Sequence, residues 1–290
     1  MSSSVRKVVF PVAGMGSRFL PATKSTPKEM LPVVDRPLIQ YAADEAVAAG
    51  VQDLVFVTHS SKRSIEDYFD KHYELESELL LRGKQAVLNE VQSLLPKESS
   101  CIYVRQPEAL GLGHAVLCAK PVVGNEPFAV ILADDLIAGD PGCLQQMMAV
   151  YEEYQGTVLG VEEVPADEVD RYGIVELKSK NGRVGEVSAI VEKPSVDRAP
   201  SNLAVVGRYI LSPRIFSLLE KTQKGAGGEI QLTDAIALLL EEEPVYTYQF
   251  KGKRYDCGSK LGYLKASVEY GLQHPELQES FGQYIKALNV

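Results

Sequence analysis

Short apolar runs alternate with segments of helical periodicity between residues 8 and 164, and this alternation constrains the fold more than any other feature of the chain. Alternation of this kind predicts a parallel sheet with helices on both faces. Ligands bind such sheets at the carboxyl ends of the strands, so residues that follow a strand are the first candidates for function. The predicted strands are 8–12, 54–58, 101–105, 128–132 and 158–164, and the predicted helices are 38–49, 61–69, 75–95, 114–120 and 142–154.

The pattern changes after residue 172, where strands follow one another without intervening helices. The Asn181-Gly182 pair is a strong hairpin signal between two of them. We therefore predict an α/β fold: a Rossmann-like mixed, mostly parallel sheet flanked by helices, with a small antiparallel β insertion and C-terminal helices. In this half the predicted strands are 174–177, 184–191 and 205–211, the predicted helices are 213–221, 230–241, 259–274 and 275–288, and 223–228 is predicted to be a mobile loop.

A glycine-rich loop with several cations follows the first strand. Glycines let backbone N–H groups approach phosphate oxygens, and fixed cations neutralise the charge that backbone dipoles cannot. Phe19 replaces the third glycine of a dinucleotide-binding loop, and the spacing of a Walker loop does not occur. Prolines stiffen the segment, so we predict an ordered polyphosphate site in place of an ordinary turn. The residues that carry this prediction are Gly14, Gly16, Arg18, Lys24 and Lys28.

Composition argues against several classes of function. The net charge of −9 disfavours a general nucleic-acid-binding protein, because such domains are usually basic. The sequence contains no run of 18 apolar residues, so no membrane span is expected, and the N-terminus has no apolar signal core. The four cysteines lack C-x-x-C pairing and are predicted to be buried thiols in a reducing compartment. We expect a cytoplasmic protein that binds neither nucleic acid nor membranes.

Aspartates that follow strands are candidates for a metal site. Asp134 and Asp135 follow the apolar run 130–132, and Asp256 lies between a strand-like run at 245–250 and a helix that begins near residue 259. Mg²⁺ prefers one or two carboxylates and takes its other ligands from phosphates and water. The alternatives are a helix cap or solvated strand end at Asp134 and Asp135, and a helix-entry turn at Asp256.

Two further motifs close predicted strands. Gln106 carries an amide that can pair with the edge of a pyrimidine, although a plain strand-to-helix connection would also place a glutamine there. In Glu192-Lys193-Pro194 the carboxylate can accept from sugar hydroxyls while the lysine faces a phosphate; the alternative is a surface ion pair. Adjacent strand residues point to opposite faces, so a shared ligand requires a twist at the strand end.

The string GMGSRFLPATKSTPKEMLP, residues 14–32, resembles the signature loop of the sugar-1-phosphate nucleotidylyltransferases, and its PKEMLP ending is similar to their uridylyl branch. The resemblance covers essentially the whole chain and implies a nucleotide-diphospho-sugar transferase fold. It implies one domain, 1–290, with a nucleotide-binding core at 5–165, a sugar-binding part at 166–258 and a C-terminal helical segment at 259–290 as a candidate interface. The implied reaction is Mg²⁺-dependent transfer of UMP from UTP to glucose 1-phosphate, giving UDP-glucose and pyrophosphate, in a homodimer or homotetramer.

The resemblance also implies residue roles. Gln106 would read the uracil and Gly111 would support it, while cations would hold the phosphates. A sister enzyme that uses dTTP or another sugar 1-phosphate would share the loop, and a catalytically silent regulatory paralogue is a further alternative. The implied catalytic residues are Arg18, Lys28 and Lys193; the implied nucleotide-binding residues are Ala13, Gly14, Gly16, Glu29, Gln106, Gly111 and Asp135; the implied sugar-phosphate-binding residues are Gly173, Glu192 and Lys193; the implied metal ligands are Asp134 and Asp256.

Overall fold

The computed structural model describes residues 5–288. The strands are β1 (Lys7–Pro11), β2 (Pro32–Val33), β3 (Arg36–Pro37), β4 (Asp53–Thr58), β5 (Ser100–Arg105), β6 (Phe128–Ile131), β7 (Asp135–Ala138), β8 (Thr157–Glu163), β9 (Gly173–Asn181), β10 (Val184–Glu192), β11 (Leu203–Leu211), β12 (Val245–Gln249) and β13 (Lys253–Asp256). The helices are α1 (Leu38–Ala48), α2 (Arg63–Phe69), α3 (Tyr73–Leu81), α4 (Gln85–Gln92), α5 (Leu112–Cys118), α6 (Lys120–Val123), α7 (Cys143–Tyr154), α8 (Arg214–Leu219), α9 (Leu232–Leu239), α10 (Lys260–Gln273) and α11 (Gln278–Ala287).

Within residues 5–288, nine strands form one mixed sheet in the order β5-β4-β1-β6-β11-β8-β12-β10-β9. The strands β5, β4, β1 and β6 are parallel neighbours, as the alternation in the first half predicts. β11 is antiparallel to both β6 and β8, β12 is parallel to β8 and antiparallel to β10, and β9 and β10 form a hairpin at the far edge. The predicted fold class, a mixed sheet with antiparallel strands added by the second half of the chain, is confirmed.

The predicted parts of the chain share this sheet. β11, from the second part, lies between β6 and β8 of the first part. The functional division at residues 165 and 258 therefore stays a prediction. The C-terminal part contains α10 and α11, and Ser259 begins α10 by accepting a hydrogen bond from the Gly262 N–H at 3.1 Å. Residues 1–4 and 289–290 of the predicted domain lie outside the described residues.

Apolar layers cover both faces of the sheet. On one face Phe10 stacks on Phe56 with ring centroids 5.0 Å apart, in a cluster that includes residues of α1 and α7. On the other face Phe128 stacks on Phe216 at 4.9 Å, in a cluster that includes residues of α8 and α9. Burial on both faces explains why the central strands are continuously apolar, without polar alternation.

The single helix predicted at 75–95 is wrong, because the segment forms two helices, α3 and α4. Gly83 lies between them with a φ of +65°, a left-handed conformation that ends helices and that glycine adopts without a steric penalty. The apolar periodicity continues on both sides of the break, so it did not reveal the turn. No helix in the described part of the chain is long and apolar enough to cross a membrane.

A short antiparallel ribbon, β7 with β13, places the two aspartate segments together. β7 begins a few residues after β6 ends, and β13 precedes α10. The register of the ribbon pairs Asp135 with Asp256. Two segments that are far apart in sequence therefore meet at the carboxyl end of β6, the edge at which ligands of such sheets bind.

Candidate active site

The glycine-rich loop after β1 is ordered by its own short-range contacts, with 3-10 turns at Ser17–Phe19, Ala22–Lys24 and Lys28–Met30. Gly16 adopts a φ of +65°, and its carbonyl accepts a hydrogen bond from the Thr23 hydroxyl at 2.7 Å. A Cβ at position 16 would lie 3.2 Å from the Thr23 methyl group. Both the backbone conformation and the packing therefore favour glycine.

A cavity of about 600 Å³, here called the first cavity, lies between this loop and the segment after β5. Most of the residues to which the resemblance assigns nucleotide binding line this cavity. Lys24, by contrast, is exposed and does not line this cavity. The predicted residues on its wall are Ala13, Gly14, Gly16, Arg18, Lys28, Gln106, Gly111 and Asp134.

Gln106 presents a buried amide to the first cavity. Its Nε2 donates to the Gly111 carbonyl at 3.2 Å and lies 3.0 Å from Nδ1 of His114. These two neighbours fix the orientation of the amide. The whole Gln106 residue is 5% exposed. Both Nε2 hydrogens serve these two neighbours, so Oε1 is the atom suited to accept a hydrogen bond from a ring N–H of a pyrimidine base.

Gly111 supports this segment in a conformation that other residues adopt only under strain. Its φ is +95°, and an added Cβ would lie 2.6 Å from the Cβ of Glu229. We expect Gly111→Ala to raise KM for the nucleotide about tenfold, because the segment that carries Gln106 must move away from Glu229. Steady-state kinetics with the nucleotide varied measure this effect.

Gly124→Ala is the matched control for that experiment. Gly124 also has a positive φ, +70°, but a Cβ there would meet nothing within 4 Å. Both variants carry backbone strain, and only the substitution at Gly111 crowds the first cavity. An equal KM in the two variants would contradict the expectation.

Lys28 and Asp134 form an ion pair on the wall of the first cavity, with 2.5 Å between Nζ and Oδ2. Burial acts to raise the pKa of the Asp134 carboxyl, but the Lys28 ammonium outweighs it and holds this pKa below the usual value. Burial acts to lower the pKa of Lys28, but the charges of Asp134 and Glu29 outweigh it and raise that pKa. Both groups are therefore charged near neutral pH.

Glu29 lies behind the cavity wall and does not line the first cavity. It is 1% exposed, and its Oε2 accepts a hydrogen bond from Lys62 Nζ at 2.8 Å. Burial raises the pKa of Glu29 and lowers the pKa of Lys62, in each case against the attraction between them. Its Oε1 has no hydrogen-bond partner within residues 5–288. The pair ties the Lys28–Met30 turn to the start of α2, and a nucleotide contact of Glu29 stays a prediction.

A second cavity of about 270 Å³ is lined by Gly173 at the start of β9 and by Glu192 and Lys193 at the end of β10. Lys193 adopts a φ of +44°, which is left-handed and interrupts the strand alternation. Its Nζ lies 3.0 Å from Glu192 Oε1. The twist required for two adjacent side chains to share one ligand is therefore present.

The two cavities adjoin each other. Their walls have five residues in common: Arg18, Leu112, Leu132, Asp134 and Glu229. A cation and a carboxylate implied in phosphate and metal binding therefore lie at the junction. A phosphate of a ligand in the first cavity and a phosphate of a ligand in the second cavity would meet there.

Asp256 belongs to the wall of the second cavity and lies close to the junction. Its Oδ1 accepts from the Gly258 N–H at 3.0 Å, and its Oδ2 lies 3.4 Å from Arg171 Nη2. A Cβ built on Gly258 would lie 2.8 Å from Asp134 Oδ2, 3.0 Å from Asp256 Oδ1 and 3.2 Å from Arg18 Nη2. The two carboxylates thus flank one point that only a glycine leaves open.

The donor set at this point fits a hard cation. Within residues 5–288 no group of three or more His, Cys, Asp or Glu side chains is arranged to hold a metal ion. Two carboxylates without nitrogen or sulfur donors fit Mg²⁺, which completes its shell with phosphates and water, and do not fit a structural zinc site.

Asp135 lines the second cavity and not the first. Its Oδ2 accepts from the Gly207 N–H at 2.6 Å, and its Oδ1 accepts from the Arg254 guanidinium. These contacts hold β7 against β11 and β13. Its implied nucleotide contact stays a prediction.

The wall residues that the sequence interpretation missed include four with charged or polar side chains: Arg171, Glu229, Thr233 and Arg254. Arg171 and Arg254 lie two positions before the predicted Gly173 and Asp256, so a search of the flanking residues would have found them. Glu229 and Thr233 follow a glycine-rich loop whose sequence suggests only mobility. Their place in the site depends on the packing of α9 against β10.

Comparison with known proteins finds similar chains over nearly the whole length. The family model described as nucleotidyl transferase matches residues 7–272. The UTP–glucose-1-phosphate uridylyltransferase of Staphylococcus epidermidis is 49% identical over 286 residues, which are 99% of each chain. The Haemophilus ducreyi protein of the same name is 51% identical over 97% of this chain and 98% of its own.

Solved structures of similar proteins share this fold. A UTP-bound UGPase from Acinetobacter baumannii is 51% identical, with a TM-score of 0.91 over 97% of this chain and 98% of that chain. A UDP-glucose pyrophosphorylase complexed with UDP-glucose is 47% identical, with a TM-score of 0.85 over 92% and 98% of the two chains. The chain is thus similar along nearly its whole length to proteins solved with a nucleotide and with a nucleotide sugar.

Proposed function

The chain belongs to the nucleotidyl transferase family, and we propose that it transfers UMP from UTP to glucose 1-phosphate, releasing pyrophosphate and UDP-glucose. The observation that carries this proposal is the junction of the two cavities at Arg18 and Asp134. A nucleotide in the first cavity and a sugar phosphate in the second would bring their phosphates together there. Two anions can react only where fixed positive charge offsets their repulsion, and Arg18 at the junction, Lys28 in the first cavity and Lys193 in the second cavity supply it.

The reaction we propose is an in-line displacement at the α-phosphorus of UTP. A phosphate oxygen of glucose 1-phosphate forms the new P–O bond, and the bond to the β-phosphate oxygen breaks. The attacking phosphate is largely dianionic near neutral pH, so no general base is needed. Lys193 holds the attacking phosphate, while Arg18 and Lys28 hold the triphosphate and stabilise the departing pyrophosphate.

The metal site we propose consists of Asp134 and Asp256. Mg²⁺ held there would neutralise charge on the triphosphate. In the structure the Asp134 carboxylate balances the charge of the Lys28 ammonium, with 2.5 Å between Oδ2 and Nζ. If that carboxylate held the cation, the Lys28 ammonium would be available to the phosphates.

Removal of divalent metal is expected to abolish product formation. With an excess of EDTA we expect pyrophosphate release to fall by at least about 10³-fold, because the triphosphate charge is left uncompensated. Mg²⁺ should restore the rate, and Asp134→Asn should raise the Mg²⁺ concentration needed for half-maximal rate. Full activity in EDTA, with the protein shown free of metal, would contradict the proposed cofactor.

Pyrophosphate release with glucose 1-phosphate and each of UTP, dTTP, ATP and GTP tests the proposed function directly. We expect a strong preference for UTP and no release without the sugar phosphate. A preference for dTTP would keep the mechanism and change the nucleotide. Folded protein that binds UTP but releases no pyrophosphate would point to the regulatory paralogue. The homodimer or homotetramer and the cytoplasmic location also stay predictions, which gel filtration and cell fractionation test.

A further inference from the structure

The Glu192 carboxylate in the second cavity has a separate partner for each of its oxygens. Oε1 lies 3.0 Å from Lys193 Nζ, and Oε2 accepts a hydrogen bond from the Thr233 hydroxyl at 2.7 Å. The Glu192 side chain is 15% exposed, so these two contacts define its orientation in a largely buried site. Thr233 is the second residue of α9 and itself lines the second cavity.

The two partners differ in how firmly they are held. The Lys193 side chain is 48% exposed at a strand end, and its ammonium is the group expected to turn to the attacking phosphate. Thr233 stands on α9, a helix anchored in the core through Leu232 and Ile236. When Lys193 serves the phosphate, the Thr233 hydroxyl is the partner that still holds Glu192 in place.

Thr233 also lies beside Gly173, which is at the start of β9 and lines the second cavity. A Cβ built on Gly173 would lie 3.1 Å from Thr233 Oγ1, 3.3 Å from Thr233 Cγ2 and 3.4 Å from Glu192 Oε2. The hydroxyl and the methyl group therefore both lie beside Gly173, and only the hydroxyl also donates to the Glu192 carboxylate.

We infer that Thr233 is a positioning residue that orients Glu192 to accept from sugar hydroxyls and so sets the affinity for the sugar phosphate. This inference rests on the proposed function, because it takes the second cavity as the sugar site. A hydrogen bond to a charged group contributes more than a neutral one, and the fixed carboxylate loses less rotamer freedom when the sugar binds.

Kinetics of Thr233→Val and Thr233→Ser test the inference in the full chain. Valine keeps the volume and removes the donor, while serine keeps the donor and removes the methyl group. We expect Thr233→Val to raise KM for glucose 1-phosphate about tenfold and to leave KM for UTP within about twofold. Thr233→Ser should restore the KM for glucose 1-phosphate, and thermal melting shows whether each variant folds.

A double-mutant cycle with Glu192→Ala separates positioning from general packing. If Thr233 acts through Glu192, Thr233→Val has no further effect on KM for glucose 1-phosphate once Glu192 is alanine. An equal rise in both KM values, additive effects in the cycle, or failure of serine to rescue would overturn the inference while leaving the proposed function intact. A normal KM for glucose 1-phosphate in Glu192→Ala would instead overturn the assignment of the sugar site, and this inference with it.

Discussion

Replacement of Lys193 by alanine is expected to lower kcat/KM for glucose 1-phosphate by about 10²–10³-fold, the cost of one lost group that stabilises transition-state charge. The ammonium lies beside Glu192 on the wall of the second cavity, and that cavity adjoins the first at Arg18. Without the ammonium, the attacking phosphate meets the triphosphate with its charge uncompensated. Alanine bears the φ of +44° no worse than lysine, because both residues carry a Cβ.

Lys178→Ala is the matched control for this variant. Lys178 lies on β9, pairs with Glu186 at 2.8 Å and lines neither cavity, so its removal should leave kcat/KM unchanged. Lys193→Arg should recover part of the activity, because the charge returns with a different shape. Pyrophosphate release under subsaturating glucose 1-phosphate measures all three variants. A near-normal kcat/KM in Lys193→Ala would exclude the role proposed for this residue.

Replacement of Arg208 by alanine is expected to lower the free energy of unfolding by about 3–5 kcal/mol. The Arg208 side chain is 1% exposed on β11, and it donates to both oxygens of Glu45 on α1, at 2.9 and 2.7 Å. Glu45 also accepts from the Leu144 N–H at 2.9 Å, at the start of α7. The substitution leaves this buried carboxylate without its counter-charge and opens a cavity beneath the strand.

Urea denaturation of two further variants distinguishes the loss of pairing from the loss of volume. Arg82→Met removes an exposed pair with Glu78 on α3 and should cost less than about 0.5 kcal/mol. Replacing Glu45 and Arg208 together by methionine should recover most of the stability, because no unpaired charge remains buried. A double variant as unstable as Arg208→Ala would show that an unpaired buried charge does not account for the loss.

Local sequence was sufficient for the parts of the site that lie within one short segment. The glycine loop, with Arg18 and Lys28, was predicted from residue type and spacing alone, and the structure places both cations on the wall of the first cavity. Gln106 and Gly111 follow a strand that the apolar pattern locates, but their assignment to the site was implied by the family resemblance. Alternation of strands and helices was enough to predict which ends of the strands would face a ligand.

Contacts between distant segments decided the remainder. The pairing of β7 with β13 brings Asp256 to the aspartates after β6, and no local pattern encodes that register. Glu29, for which the resemblance implies nucleotide binding, is buried against Lys62 and does not line the first cavity. Thr233 entered the site only because α9 packs against the end of β10.

The sequence by itself therefore determined the fold class and predicted the glycine-rich phosphate loop, because strand and helix periodicity and glycine-loop chemistry act over a few neighbouring residues. The kind of chemistry was implied by the resemblance to a known family. Only the tertiary structure decided which carboxylates share the junction, how Lys193 turns toward Glu192, and where the helix predicted at 75–95 breaks at Gly83. Those outcomes depend on backbone conformation and long-range packing, and the same local sequence is compatible with more than one arrangement until the sheet is assembled.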